Sequence, residues 1–204
     1  MWISCWCMRR GMVCIIALIV FSALLSGLGA PRAFALDNGL ARTPPMGWNS
    51  WNRFGCDVSE QLIKGIADAM VSSKMKDAGY EYVVIDDCWQ VSRDDAGTIV
   101  ADPQRFPSGI KALADYVHAQ GLKLGLYTSA GAFTCQGRPG SLDYEQQDAD
   151  TYAAWGIDYV KEDYCGGFDL NPQIQYAKMR ARPWMRKWDG LNFMAMRPSH
   201  MPAP

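Results

Sequence analysis

Ala153-Ala154-Trp155-Gly156-Ile157-Asp158-Tyr159-Val160-Lys161-Glu162-Asp163 holds a helix end, a stop and a strand in one short run. Gly156 is the residue that helix C-termini favour, because it enters the left-handed region without a Cβ clash. The segment after it is aromatic and β-branched and ends in charged residues, as a strand does when its length is buried and its end is open. The same grammar occurs twice upstream. Lys76-Asp77-Ala78-Gly79 leads into Tyr82-Val83-Val84-Ile85-Asp86, and His118-Ala119-Gln120-Gly121 leads into Leu122-Lys123-Leu124-Gly125-Leu126-Tyr127. Gly79 and Gly121 are 42 residues apart, and Gly121 and Gly156 are 35 apart, which suits one βα unit each. Leu62, Ile63, Ile66 and Met70, after a start near Asp57 to Glu60, keep a helical period, and so do Ile110, Leu113 and Val117 after Pro107-Ser108. A further strand is expected at Met46 to Asn49, with Trp51 just beyond its end.

Strands alternating with helices specify an α/β fold, with a parallel sheet whose sites lie at the strand C-termini. A doubly wound sheet and half of an eight-stranded barrel both satisfy this pattern. No GxGxxG or GxxxxGK[ST] follows any of these strands, so the usual nucleotide reading is removed.

Outside this repeat the chain changes character at both ends. Met1 to Ala35 contain Arg9, Arg10 and Arg32 and no acid, with an apolar run from Met12 to Leu28 and a small-x-small site at Ala33-Phe34-Ala35. This is the pattern of a signal peptide cleaved near Ala35, and it predicts a secreted or extracytoplasmic protein starting at Leu36. No second apolar run approaches the roughly 20 residues that cross a bilayer, so no membrane association is expected after cleavage. Removing the leader's three bases from the 20 Lys and Arg leaves 17 against 21 Asp and Glu, a balance that gives nucleic acid no electrostatic reason to bind. After Tyr176 there are six bases and one acid, Asp189, with five of the 11 Met and four of the 11 Pro. No apolar period persists there, so residues 179–204 read as a divergent tail outside the fold. With 49% hydrophobic and 20% charged residues over its whole length, the chain is neither disordered nor fibrous.

Of seven Cys, Cys5, Cys7 and Cys14 fall in the leader, leaving Cys56, Cys88, Cys135 and Cys165. An even number in an exported chain predicts two disulfides, with three possible pairings. Zinc is the competing use, but there is no CxxC pair, and His118 and His200 lie in a helical stretch and in the tail.

The chemistry gathers at strand ends. Asp86 follows Gly79 by seven residues and Asp163 follows Gly156 by seven, so the repeat places two carboxylates equivalently. Side chains alternate along a strand, so Lys161 shares a face with Asp163 while Glu162 points to the other. A cation on the same face favours an ionised carboxylate, which a nucleophile needs; the plainer alternative is mutual neutralisation at a strand end. In Asp86-Asp87-Cys88-Trp89, two acids can accept from sugar hydroxyls while the indole covers C–H surface. The plainer alternative has Asp87 capping a helix and Asp86 solvated. Trp48, Trp51 and Tyr127 add aromatic surface at other strand ends.

Pro44-Pro45-Met46-Gly47-Trp48-Asn49-Ser50-Trp51, Tyr82-Val83-Val84-Ile85-Asp86-Asp87-Cys88-Trp89, Asp102-Pro103-Gln104-Arg105-Phe106-Pro107 and Lys161-Glu162-Asp163-Tyr164-Cys165 resemble the signature stretches of one enzyme family. It is the α-galactosidase / α-N-acetylgalactosaminidase (melibiase) family, glycoside hydrolase family 27, and the resemblance runs from about Leu36 to Met179. It implies a (β/α)8 TIM barrel, here about the first four βα units over residues 36–178, and a retaining glycosidase that needs no cofactor and no metal. It implies that the substrate is an oligosaccharide or galactoside with terminal α-linked galactose, or in the sister activity N-acetylgalactosamine. It implies Asp163 as nucleophile, Asp86, Asp87 and Lys161 as ligands of the sugar hydroxyls, and Trp51, Tyr127 and Cys135 lining the pocket. It also implies the disulfides Cys56–Cys88 and Cys135–Cys165. A retaining glycosidase needs a second carboxyl about 5 to 5.5 Å from the nucleophile; in this family it comes from a later strand, which is not recognisable in the sequence. The non-enzymatic alternative is a sugar-binding or inactive fragment. An open half barrel has unpaired strand edges, so self-association through them is expected.

Overall fold

The computed structural model describes residues 43–167, 169–180 and 192–195. The leader, Met1–Ala35, lies outside the described residues. In chain order the elements are β1 (Gly47–Asn49), α1 (Trp51–Phe54), α2 (Glu60–Ser72), β2 (Tyr82–Ile85), β3 (Gln90–Arg93), β4 (Ile99–Ala101) and α3 (Gly109–Ala119), followed by β5 (Lys123–Ser129), α4 (Glu145–Trp155), β6 (Tyr159–Asp163), α5 (Pro172–Arg180) and β7 (Asn192–Ala195).

One sheet runs β1-β2-β5-β6-β7, and every neighbouring pair in it is parallel. This order follows the chain without a reversal, whereas a doubly wound sheet requires a switch point. The core confirms the choice. Val83, Ile85, Leu124, Leu126 and Val160 of the strands pack in one cluster with Ile63, Ala67 and Met70 of α2, Leu113 and Val117 of α3 and Tyr152 of α4. All three helices therefore cover the same face. The alternate residues Tyr82, Val84 and Tyr159 form a separate small cluster on the opposite face. Helices outside and a filled interior inside is the layering of a (β/α) barrel wall. Gly125 makes the interior packing possible. It pairs with Val84 on one side and Tyr159 on the other, and a Cβ there would lie 2.8 Å from the Tyr159 ring.

Sequence periodicity places these strands to within two residues, but three local features differ from it. First, α2 ends at Ser72 rather than running to Gly79. Ser72 Oγ donates back to the Ala69 carbonyl, and Lys74 turns left-handed at φ 64°, so the chain closes into turns before β2. Second, β3 and β4 form an antiparallel hairpin outside the main sheet, closed where Asp94 accepts from the backbone N–H of Ala96 and Thr98. Third, Asn192–Ala195, inside the tail expected to stay outside the fold, pairs in parallel with β6 along Tyr159 to Glu162. An open strand edge presents a row of free N–H and C=O groups, and even a four-residue apolar segment without periodicity can satisfy them.

Two disulfides fasten the strand ends. Cys56–Cys88 joins the loop after α1 to the end of β2, and Cys135–Cys165 joins the loop after β5 to the end of β6, with Cα atoms 5.2 and 5.0 Å apart. Peptide mapping of protein from an oxidising compartment, alkylated under denaturing conditions without reductant, should find these four cysteines unlabelled. Alkylation of any of them in the bulk of the protein would contradict the pairing.

Candidate active site

The C-terminal ends of β2, β5 and β6 converge, and the register that pairs Tyr127 with Lys161 and Ser129 with Asp163 sets which side chains meet. Asp86, just past β2, is buried with three donors around it. Its Oδ2 accepts from Asn49 Nδ2 at 2.7 Å and from Lys161 Nζ at 2.5 Å, and its Oδ1 accepts from the Asp87 N–H at 2.9 Å. The Asp86 N–H in turn donates to Ser50 Oγ at 2.9 Å. The ion pair of Lys161 is thus with Asp86, not with its same-strand neighbour Asp163. Residues i and i+2 of a strand stand nearly 7 Å apart along it. Lys161 instead reaches across the intervening strand, with Nζ 5.0 Å from the centre of the Tyr127 ring.

Asp163 is held by two neutral donors. Tyr127 Oη donates to Oδ2 at 3.1 Å, and the Tyr164 N–H donates to Oδ1 at 2.8 Å. A carboxylate offers about four acceptor sites, so lone pairs on each oxygen stay open for an incoming group. Burial pushes the Tyr127 phenol far above its ordinary range, and the charges of Asp163 and Asp87 add to this, so it stays a protonated donor. Cys135 Sγ lies 3.5 Å from Asp163 Oδ2 and 3.4 Å from Tyr127 Oη, in contact with both.

Asp87 accepts from the Cys88 N–H at 2.7 Å and from the Gln136 N–H at 3.0 Å. Burial raises its pKa above the usual carboxylate range; the Thr134, Cys88 and Gln136 donors oppose this, and the Asp86 charge reinforces it. Trp51 opens α1 and donates its N–H to Asn49 Oδ1 at 2.9 Å. With Trp48, Asn52, Tyr82 and Lys161 it lines a cavity of about 310 Å³, at the lower end of the range of small-molecule sites.

Two aromatic expectations change. Trp89 is fully buried, donates Nε1–H to the Tyr127 carbonyl at 2.8 Å and packs against Tyr152 and Trp155, so its face covers core rather than ligand. Cys88, left-handed at φ 78°, turns the chain between Asp87 and Trp89. Trp48 stands 5.9 Å from the Phe54 ring and packs against the core as well as edging the cavity. Asn49, Ser50 and Gln136 join the site without having been singled out. The strand-end rule applied to β1 finds the first two, but Gln136 contributes only a loop N–H and leaves no trace in residue type.

Glu162 faces the helix layer, as alternation requires, and is fully buried with no hydrogen bond to either carboxylate oxygen among the described residues. Burial pushes its carboxyl well above the ordinary range, and the Glu145 charge adds to this. A carboxyl whose pKa is raised in the folded state contributes stability below its unfolded pKa, and that contribution is lost as pH rises through the folded value. Glu162→Met should therefore stabilise the protein at pH 8, with a gain that shrinks toward pH 4 in urea denaturation. A gain independent of pH would contradict this reading.

A profile of the family described as alpha galactosidase A matches residues 43–184. The chain is 59% identical over 165 residues to alpha-galactosidase A of Cellvibrio japonicus, covering 77% of this chain and 41% of that one. Among solved structures, alpha-galactosidase I from Mortierella vinacea superposes with a TM-score of 0.70 at 50% identity, over 74% of this chain and 40% of that one. The Saccharomyces cerevisiae alpha-galactosidase with raffinose superposes with a TM-score of 0.73 at 40% identity, over 78% and 36%. The chain thus spans about two fifths of the length of such relatives.

Proposed function

Because the chain belongs to the alpha galactosidase A family, we propose that it carries the nucleophile half of a retaining glycoside hydrolase that cleaves terminal α-linked galactose. One observation supports this above the others: Asp86 at the end of β2 and Asp163 at the end of β6 flank the end of β5, with Asp163 held by neutral donors and Asp86 paired to Lys161 across that strand. Asp163 attacks the anomeric carbon and forms the glycosyl-enzyme, and the Tyr127 phenol fixes the carboxylate plane from one oxygen. Asp86, Asp87 and Lys161 take the sugar hydroxyls, since carboxylates accept from hydroxyl protons and the ammonium donates to their oxygens. Trp51 and Tyr127 wall the pocket, and the Cys135 sulfur packs beside the attacking carboxylate. The acid/base carboxyl comes from outside the described residues.

Export through the leader is part of the same proposal, and two disulfides are in keeping with an oxidising compartment. Among the described residues no helix is long and apolar enough to cross a membrane. Self-association is supported by β1, which pairs on one side only among those residues.

The test of substrate class uses this chain joined to the remaining length of a relative. Nitrophenyl α-galactoside and nitrophenyl α-N-acetylgalactosaminide are compared by kcat/KM. A clear preference for the galactoside is expected. Turnover of only the acetamido sugar would move the assignment to the sister activity, and turnover of neither would leave a sugar-binding or inactive chain.

A further inference from the structure

We propose that Cys135, Cys165 and Asp163 form a reduction-gated site for a zinc-class divalent ion, closed while the two sulfurs are bonded to each other. One donor atom from each of the three residues lies within 4.8 Å of the other two. Tetrahedral zinc takes thiolates at about 2.3 Å and carboxylate oxygen at about 2.1 Å, so sulfur and oxygen ligands sit about 3.6 Å apart and two sulfurs about 3.8 Å apart. Cys135 Sγ already stands 3.5 Å from Asp163 Oδ2. Only the sulfur pair has to open, between Cα atoms 5.0 Å apart; Cys135 is exposed to solvent, and its contacts with Asp163 and Tyr127 are already in place.

The gate is a two-electron step with a named reductant. An external dithiol attacks one sulfur, the protein disulfide becomes two thiols, and the dithiol leaves as its cyclic disulfide. The ion then binds, each thiol releases a proton, and Asp163 supplies the third ligand. Three protein ligands and a solvent-facing fourth position are the pattern of an open zinc site. Access discriminates between the two disulfides. Cys135 is exposed, whereas Cys88 of the other pair is fully buried. Tyr127 Oη, donating at 3.1 Å to the same Asp163 oxygen, holds that ligand in a fixed orientation. An ion there occupies the carboxylate oxygen next to Cys135, so a reducing, metal-containing medium would mask the carboxylate assigned to attack.

The inference does not rest on the glycosidase reading, and its test reads no activity. Cadmium is titrated into the chain starting at Leu36, which lacks Cys5, Cys7 and Cys14, either oxidised or reduced by dithiothreitol and freed of reductant under anaerobic conditions, and the ultraviolet thiolate-to-cadmium band is followed. The oxidised chain should show no band, and the reduced chain should saturate at one ion. Cys165→Ser should lose that equivalent, and Asp163→Asn, nearly isosteric, should weaken it about tenfold or more. An unchanged affinity in Asp163→Asn would mean that cadmium is held by thiols of a loosened chain, and would overturn the proposal. Retention of the band in Cys165→Ser would assign the ion to Cys56 and Cys88 and would equally overturn it.

Discussion

Asp163→Asn, made in this chain joined to the remaining length of a relative, is expected to lower kcat for nitrophenyl α-galactoside by on the order of 10⁴-fold or more, the scale of losing an enzymic nucleophile. The amide keeps the shape of the side chain and can still accept from the Tyr127 hydroxyl. What it loses is the negative oxygen that forms the bond to the anomeric carbon. Asp86→Asn differs in kind, because Asp86 takes the Lys161 ammonium and the Asn49 amide rather than the reacting carbon. Its loss should act on KM as well as kcat. Near-normal turnover by Asp163→Asn would remove Asp163 from its assigned role.

Arg93→Met should cost about 3–5 kcal/mol of stability, the usual penalty for leaving one half of a buried ion pair without its partner. Asp148 on α4 is completely buried, and Arg93 of β3 grips both of its oxygens at 2.6 and 2.7 Å. The same guanidinium donates to the carbonyls of Gly97 and Gly140 and lies 3.9 Å from the centre of the Tyr144 ring. Ser141 Oγ also donates to Asp148 and is joined to Thr128 Oγ1. One ion pair therefore fastens the hairpin, α4 and the loop that carries Cys135 and Gln136. Replacing both partners, Arg93→Met with Asp148→Leu, should recover much of the loss, since no buried charge then stands alone. A single-variant loss below 1 kcal/mol in urea denaturation would show that the pair is solvated in solution.

The barrel wall was legible because each βα unit repeats the same physical instruction: a helical apolar face, a glycine stop and a short buried strand. The carboxylates were legible for the same reason, since Asp86 and Asp163 each stand one residue past or at the end of such a strand. What Lys161 would bind was not legible. Its partner lies beyond an intervening strand, and only the register that sets Tyr127 beside Lys161 brings Asp86 within reach. The role of Trp89 was hidden by backbone geometry, because the positive φ of Cys88 redirects a residue that residue type alone would assign to a sugar platform. The β3–β4 hairpin escaped because Gln90–Arg93 and Ile99–Ala101 are too short to show a period, although Asp94-Asp95-Ala96-Gly97 between them has turn composition. Asn192–Ala195 escaped because its pairing depends on the edge it meets.

Trapping of the glycosyl-enzyme tests the central assignment most directly. In 5-fluoro-α-galactosyl fluoride the leaving fluoride needs no protonation, so bond formation to the nucleophile proceeds without help from the acid/base carboxyl. The extended chain is incubated with this reagent, digested and mapped by mass spectrometry. A 5-fluoroglycosyl adduct on the peptide carrying Asp163, absent from the Asp163→Asn variant, is the expected result. An adduct on Asp86 or Asp87, or one that persists in Asp163→Asn, would contradict it.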